Sequence, residues 1–326
     1  MSFKASLSKL QCVIKTQVLV VALFICSVPT VIAESNVSKE SRVLFVISKQ
    51  AKIYTDLTAL VQRNLHGQTG TIYQFVTDVE KNFVTRNLNF KPDFIVTVGA
   101  MASETVMKSK PQQPVLAVLI TDSAFNLLSK KYYGSNMQAY AANVSAICLD
   151  QPFQRSIRLA KLILPEAKIA GVMTGPSSKK REDDFAQYVT DANMVPKMIN
   201  IGLEDNPIHL LEPIIKRSDV FIPVPDNRRV NIATAKWILQ LSYRYKVPVI
   251  AYSKTYLDAG ALAAIYSSVE NVAQQTAEFI DNEFLGDTGG SHTAAYFSIS
   301  FNSSVASNLN IDLKSEQFYR AVLEAD

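Results

Sequence analysis

Short apolar runs bounded by polar turns recur along the chain, and amphipathic stretches fill the gaps between them. Residues 42–47, 71–76, 93–98 and 115–119 read as strands, since each is an apolar run closed by polar or turn-forming residues. Between the first two, residues 53–65 place Ile53, Leu57, Leu60 and Val61 on one helical face. Residues 78–87 are expected to form a short helix, and Gly99 turns the third strand into a helix over 102–109. After residues 140–149 the pattern restarts. A helix over 153–164 is closed by Pro165. A strand over 168–173, a helix over 183–192, a strand over 197–201 and a helix over 208–216 follow.

Residues 219–280 repeat the unit most clearly. An apolar run ends in Pro223-Val224-Pro225-Asp226-Asn227, and a helix starts near Asn231 with Ile232, Ala235, Leu239 and Tyr243 close to one face. Residues 247–251 form a second apolar run, short enough for a buried parallel strand. An amphipathic helix over 269–285, a strand over 296–300 and helices over 302–309 and 315–323 complete the chain. Strands alternating with helices imply parallel sheets covered on both faces. The restart implies two similar Rossmann-like lobes. In such sheets ligands collect at the carboxyl ends of the strands.

The first residues change the picture of where the chain acts. Lys4, Lys9 and Lys15 precede an apolar stretch over 18–28, and Val31-Ile32-Ala33 supplies a small-x-small cleavage site. That stretch is too short for a membrane span, which takes about 20 apolar residues. Residues 1–33 are therefore expected to be a cleaved signal peptide, with 34–41 a leader and a periplasmic product. The remaining chain, about 290 residues, is long enough for two lobes with sizeable cores. Its Lys and Arg nearly balance its Asp and Glu once the signal-peptide lysines are gone, so no nucleic-acid surface is implied. Cys12 and Cys26 leave with the signal, so Cys148 has no partner for an internal disulfide and a monomer is expected. His66, His209 and His292 lack ligand-like spacing, and no nucleophile elbow or phosphate loop occurs. No metal, no cofactor and no enzymatic activity is expected.

The candidate chemistry sits at strand ends. Ser48 ends the first strand. At Gly99-Ala100-Met101-Ala102-Ser103 a strand enters a helix N-terminus, whose free N–H groups favour an anion such as a carboxylate; the alternative is a tight turn capped by Ser103. Thr121 and Asp122 end the fourth strand. Thr174 and Gly175 open the same kind of turn in the second half, where Ser178 is otherwise an N-cap. Asp226, beside Asn227, could meet a ligand ammonium; the alternative is that it caps the next helix or pairs with Arg228 or Arg229. Tyr252 and Ser253 lie where a planar ligand could stack, or where tyrosines simply pack.

Lys91-Pro92-Asp93 with Val98-Gly99, Leu164-Pro165, Asp226, Pro248-Val249-Ile250-Ala251, Gly260-Ala261-Leu262-Ala263 and Phe301-Asn302 carry a resemblance. The chain resembles the substrate-binding proteins of an ABC-transporter family whose better-known members bind aromatic amino acids such as tryptophan. The resemblance implies a type I periplasmic binding protein: lobe 1 from 42–145 and 252–287, lobe 2 from 146–251 and 288–326, with hinge crossings at 139–150, 252–262 and 288–295. It implies a small-molecule ligand, an amino acid, delivered to an inner-membrane ABC permease. A sensor of the same fold acting on a membrane partner is the alternative. Ala100, Ser123 and Ala146 depart from the family's pattern, as do Ala264, Tyr266 and Ser268 where the family has Ser, Gly and Asp. Those departures leave ligand identity open.

Overall fold

The computed structural model describes residues 41–65, 72–76, 90–202, 204–226, 232–284 and 290–325. The expected signal peptide, the helix expected over 78–87, Asn227 and the helix start at Asn231 lie outside the described residues.

The first sheet has six strands in the order β2-β1-β3-β4-β5-β11. These are β1 (Arg42–Ile47), β2 (Ile72–Val76), β3 (Phe94–Val98), β4 (Val115–Ile120), β5 (Val144–Cys148) and β11 (Ser291–His292), and every pairing is parallel. Alternation along each strand builds the core. Leu44, Val46, Ile95, Val115 and Ala117 point to one face, where they pack with Ala102, Val106 and Phe125. Val43, Phe45, Phe94, Val96 and Leu116 point to the other, against Leu57, Val61, Val272 and Ile280. Both faces are thus apolar, which is why these strands read as continuous hydrophobic runs. The helices on the first face are α2 (Ala100–Ser109), α3 (Asp122–Tyr133) and α4 (Asn136–Ala141); those on the second are α1 (Lys52–Asn64) and α10 (Val269–Phe284).

The second lobe repeats this plan. Ladders β7-β6-β8 and β12-β10-β9 meet through a parallel bridge between Phe221 and Val249, giving the order β7-β6-β8-β9-β10-β12. The strands are β6 (Ile169–Thr174), β7 (Val195–Asn200), β8 (Val220–Phe221), β9 (Ile250–Ala251), β10 (Ala263–Tyr266) and β12 (Ser298–Phe301). Among the described residues, only β12 runs antiparallel, against β10. Helices α5 (Phe153–Ile163), α6 (Glu182–Asp191), α11 (Ser303–Asn308) and α12 (Glu316–Glu324) cover one face. Helices α7 (Pro207–Lys216), α8 (Ile232–Tyr245) and α9 (Lys254–Asp258) cover the other. The two-lobed parallel architecture expected from the alternating pattern is therefore present.

Strand pairing divides the chain at other points than the expected boundaries. β5 belongs to the first sheet to its end, so the first crossing is Leu149–Pro152 rather than a break after 145. The segment expected to cross at 252–262 instead forms α9 and leads into β10, which is fixed in the second sheet by β9 and β12. The second crossing is the pair Ser267–Ser268, leading into α10, and the third runs from Thr293 to Phe297. Helices α3 and α4 had no counterpart in the sequence reading.

Gly99 positions the end of β3. Its φ of 89° and ψ of 163° lie in a region open essentially to glycine alone, and an added Cβ would stand 2.7 Å from Ser48 Oγ and 3.0 Å from the Tyr54 ring. Gly99→Ala is expected to lower stability by about 1–3 kcal/mol, read as a lower urea midpoint. An unchanged midpoint would show that the turn relaxes freely.

Candidate functional site

The carboxyl ends of both sheets face each other where the chain crosses between lobes, and polar side chains bind the crossings together. Gln151, almost fully buried, donates from Nε2 to Ser267 Oγ at 2.8 Å, joining the first crossing to the second. Its Oε1 accepts from Arg155 at 2.7 Å. Arg155 also donates to the carbonyls of Ala294 at 2.6 Å and Ala295 at 3.0 Å, joining the first crossing to the third, and its guanidinium lies 4.7 Å over the Phe297 ring. Burial lowers the Arg155 pKa. On the second lobe, Arg181 reaches the Gln151 carbonyl at 3.0 Å and stacks 4.4 Å over Phe153.

Two cavities flank the first crossing. One, about 540 Å³, lies on the α1, α10 and α9 side of the sheets. Ile53, Thr121, Leu149 and Val269 meet Pro225, Tyr252, Ser253 and Tyr266 across it. Asp150, Ser267, Ser268, Lys254 and Glu270 supply its polar groups. Its size falls within the usual range for small-molecule sites. The other cavity, about 370 Å³, lies on the α3 and α6 side and is crossed by the Lys180–Asp122 ion pair at 2.6 Å. Asp150 lines both.

Asp150 is mostly buried. One carboxylate oxygen accepts the Asp122 N–H at 2.7 Å, and the other stands 3.4 Å from Arg181. Burial pushes its pKa up, against the lowering effect of those partners. The Tyr252 phenol is held protonated by its own burial and then by the nearby Asp150 charge. Tyr252 leans on Tyr256 with ring centres 5.6 Å apart. Cys148 is buried beside Ser291 Oγ at 3.4 Å, and burial pushes its thiol up to about 12, so it is no nucleophile at neutral pH.

The structure gathers some expected residues here and sends others elsewhere. Thr121, Tyr252 and Ser253 share the larger cavity, while Asp122 lines the smaller. Thr121 also caps α3, and Ser253 caps α9. The β4–β5 register shifts between Ala117 and Ile120, with Leu119 at φ 51°, and this bulge re-aims the strand end that carries Thr121 and Asp122.

The Gly99 turn differs from expectation. The Ala102 N–H is taken by Ser48 Oγ at 2.9 Å, and the Ser103 N–H by the Gly99 carbonyl. Ser103 is fully buried against Thr97 and is not the cap; the capping oxygen comes from Ser48, on a neighbouring strand. Ala102 is buried too, which leaves only Ala100 and Met101 exposed at this terminus.

Asp226 is also otherwise engaged. It is 1% exposed, and its Oδ2 accepts from the Ser177 N–H at 3.0 Å, the Ser178 N–H at 2.9 Å and the Ser178 hydroxyl at 2.9 Å. Ser178 Oγ in turn accepts the Gly175 N–H, so Asp226 clamps the loop after β6. Thr174 is buried in contact with Glu182 and Asn200. At the expected zwitterion pairing, the Asp226 carboxylate and the Ala102 N–H are therefore already bonded within the protein.

Asp150, Tyr266 and the second-crossing serines were missed. Asp150 carries the signal that flagged Asp122 and Asp226, a carboxylate at the end of an apolar run.

A model of the ABC transporter substrate-binding protein family matches residues 54–321, and the chain belongs to that family. Its members bind solutes and are not enzymes. Among solved structures, a ligand-free, open substrate-binding protein with adhesive properties from Clostridium difficile is similar at TM-score 0.65 and 18% identity, covering 84% of this chain and 96% of its own. A conserved domain protein from Vibrio cholerae follows at TM-score 0.55 and 17% identity, with 85% and 97% covered. A Streptococcus pneumoniae protein solved in complex with L-tryptophan is similar at TM-score 0.53 and 17% identity, with 83% and 96% covered. These likenesses establish the type I periplasmic binding protein fold. A comparison with curated protein sequences finds no match.

Asp226→Ala would leave buried donors of the 175–178 loop without an acceptor, at a cost of roughly 3 kcal/mol or more. The expected result is a clear drop in melting temperature. Full stability in Asp226→Ala would show that the loop does not depend on this carboxylate.

Proposed function

We propose that this protein is an exported solute-binding protein that captures an amino acid between its lobes and passes it to an inner-membrane ABC permease. The family match supplies the class. The basic start of the signal peptide, the apolar stretch that follows it and Ala33 support export to the periplasm, and Cys148, the one cysteine after cleavage, fits a monomer. The observation that carries the ligand reading is the 540 Å³ cavity, where Tyr252 and Tyr266 from one lobe face Ile53 and Leu149 from the other beside the Asp150 carboxylate. Aromatic and aliphatic walls suit an apolar body, and the few polar groups suit orientation of a charged head. The tryptophan complex of a neighbour with the same fold makes aromatic amino acids the first to test.

The test is titration calorimetry against the amino acids, with sugars as the contrasting class. L-tryptophan or another aromatic amino acid is expected to bind, and Tyr252→Ala to weaken it about tenfold to a hundredfold, as befits loss of one buried aromatic wall. Binding of a sugar with no response to any amino acid would overturn this reading.

A further inference from the structure

Among the described residues, Asp150 is the one mostly buried charged group that lines the 540 Å³ cavity; Lys254 and Glu270, the other charged residues there, are exposed. Its side chain is only 11% exposed, and its compensation is incomplete. The Arg181 guanidinium stands 3.4 Å away on the side of the smaller cavity and makes a shorter contact to the Gln151 carbonyl, at 3.0 Å. Lys180 is committed to Asp122 at 2.6 Å. Asp122 gives Asp150 a backbone N–H but also places a second carboxylate close by. A mostly buried carboxylate with one long ion pair is stabilised strongly by any further cation that reaches it in a water-poor site. On the cavity side Tyr252 feels the Asp150 charge, and the one cation in the cavity lining among the described residues, Lys254, is exposed. The aromatic faces of Tyr252 and Tyr266 would add to the attraction of a positive group.

We infer that Asp150 is the counter-ion for the ligand's ammonium group, and that the cavity selects ligands by a cationic amine next to an aromatic or apolar body. This deepens the amino-acid reading above and rests on the same cavity. It moves the ammonium from Asp226, which is bonded to its own loop, to a carboxylate on the central crossing. It also makes the ligand's carboxylate secondary, since no cation among the described residues of this cavity is buried to receive it.

Three probes separate the charges: tryptamine, which has only the cation; L-tryptophan, which has both; and indole-3-propionate, which has only the anion. The expected order on the parent protein is binding of tryptamine and L-tryptophan, with indole-3-propionate at least tenfold weaker. Asp150→Asn keeps the shape and an acceptor for the Asp122 N–H, and it should weaken tryptamine tenfold or more while its circular dichroism spectrum stays unchanged. If Asp150→Asn does not fold, the probe order on the parent alone decides. Binding of L-tryptophan with indole-3-propionate as tight as tryptamine would overturn the counter-ion role and leave the amino-acid reading standing. Binding of tryptamine without L-tryptophan would support the counter-ion role and remove the amino-acid reading. No binding of tryptamine at millimolar concentration would overturn the inference.

Discussion

The placement of the larger cavity depends on one polar network, the buried Gln151 amide with the half-buried Arg155. Two sheets of this kind have no reason of their own to stand in a fixed relation; their cores are separate, and the chain merely passes between them. Gln151 joins the first crossing to the second, and Arg155 joins the first to the third. Buried polar groups are costly when half-satisfied, so such a network holds one geometry rather than many. Arg181 extends the same network into the second lobe through the Gln151 carbonyl and the Phe153 ring.

That constraint explains why the larger cavity lies where it does. The first crossing forms a wall shared by both cavities, and Asp150 sits in that wall. The strand ends farther out are finished internally. Ser48 caps α2, and Asp226 clamps the loop after β6. Each of these holds a loop shape that the site needs, at the expense of its own availability to a ligand. Close to the crossings, Ser267 and Ser268 accept from the Gln151 amide and the Asn271 N–H, while Asp150 and Tyr252 are less fully committed and emerge as the chemistry of the cavity.

Much of the fold was legible because parallel strands covered on both faces must be apolar throughout. RVLFVI, FIVTV and VLAVLI therefore stand out against their surroundings. Helix α3 was not legible: DSAFNLLSKKYY buries only Phe125, Leu128 and Ser129 and leaves Leu127 exposed, so its apolar face is narrow. The second crossing was misplaced because the family resemblance set it at 252–262, and the four-residue apolar run AAIY that follows was not read as a strand. The site was only half legible. Strand-end polar residues could be picked out, but not which were already bonded. Asp226 finds its donors at Ser177 and Ser178, nearly fifty positions earlier, and only folding brings them together.

The central claim is that ligand sits against the central crossing, between Asp150 and Tyr252. A crystal structure of the protein grown with L-tryptophan tests it most directly. The account requires an indole ring packed on Tyr252 and Tyr266, with its amino nitrogen within about 3 Å of the Asp150 carboxylate. A ligand bound at the Gly99 turn and Asp226, with Asp150 left untouched, would contradict it.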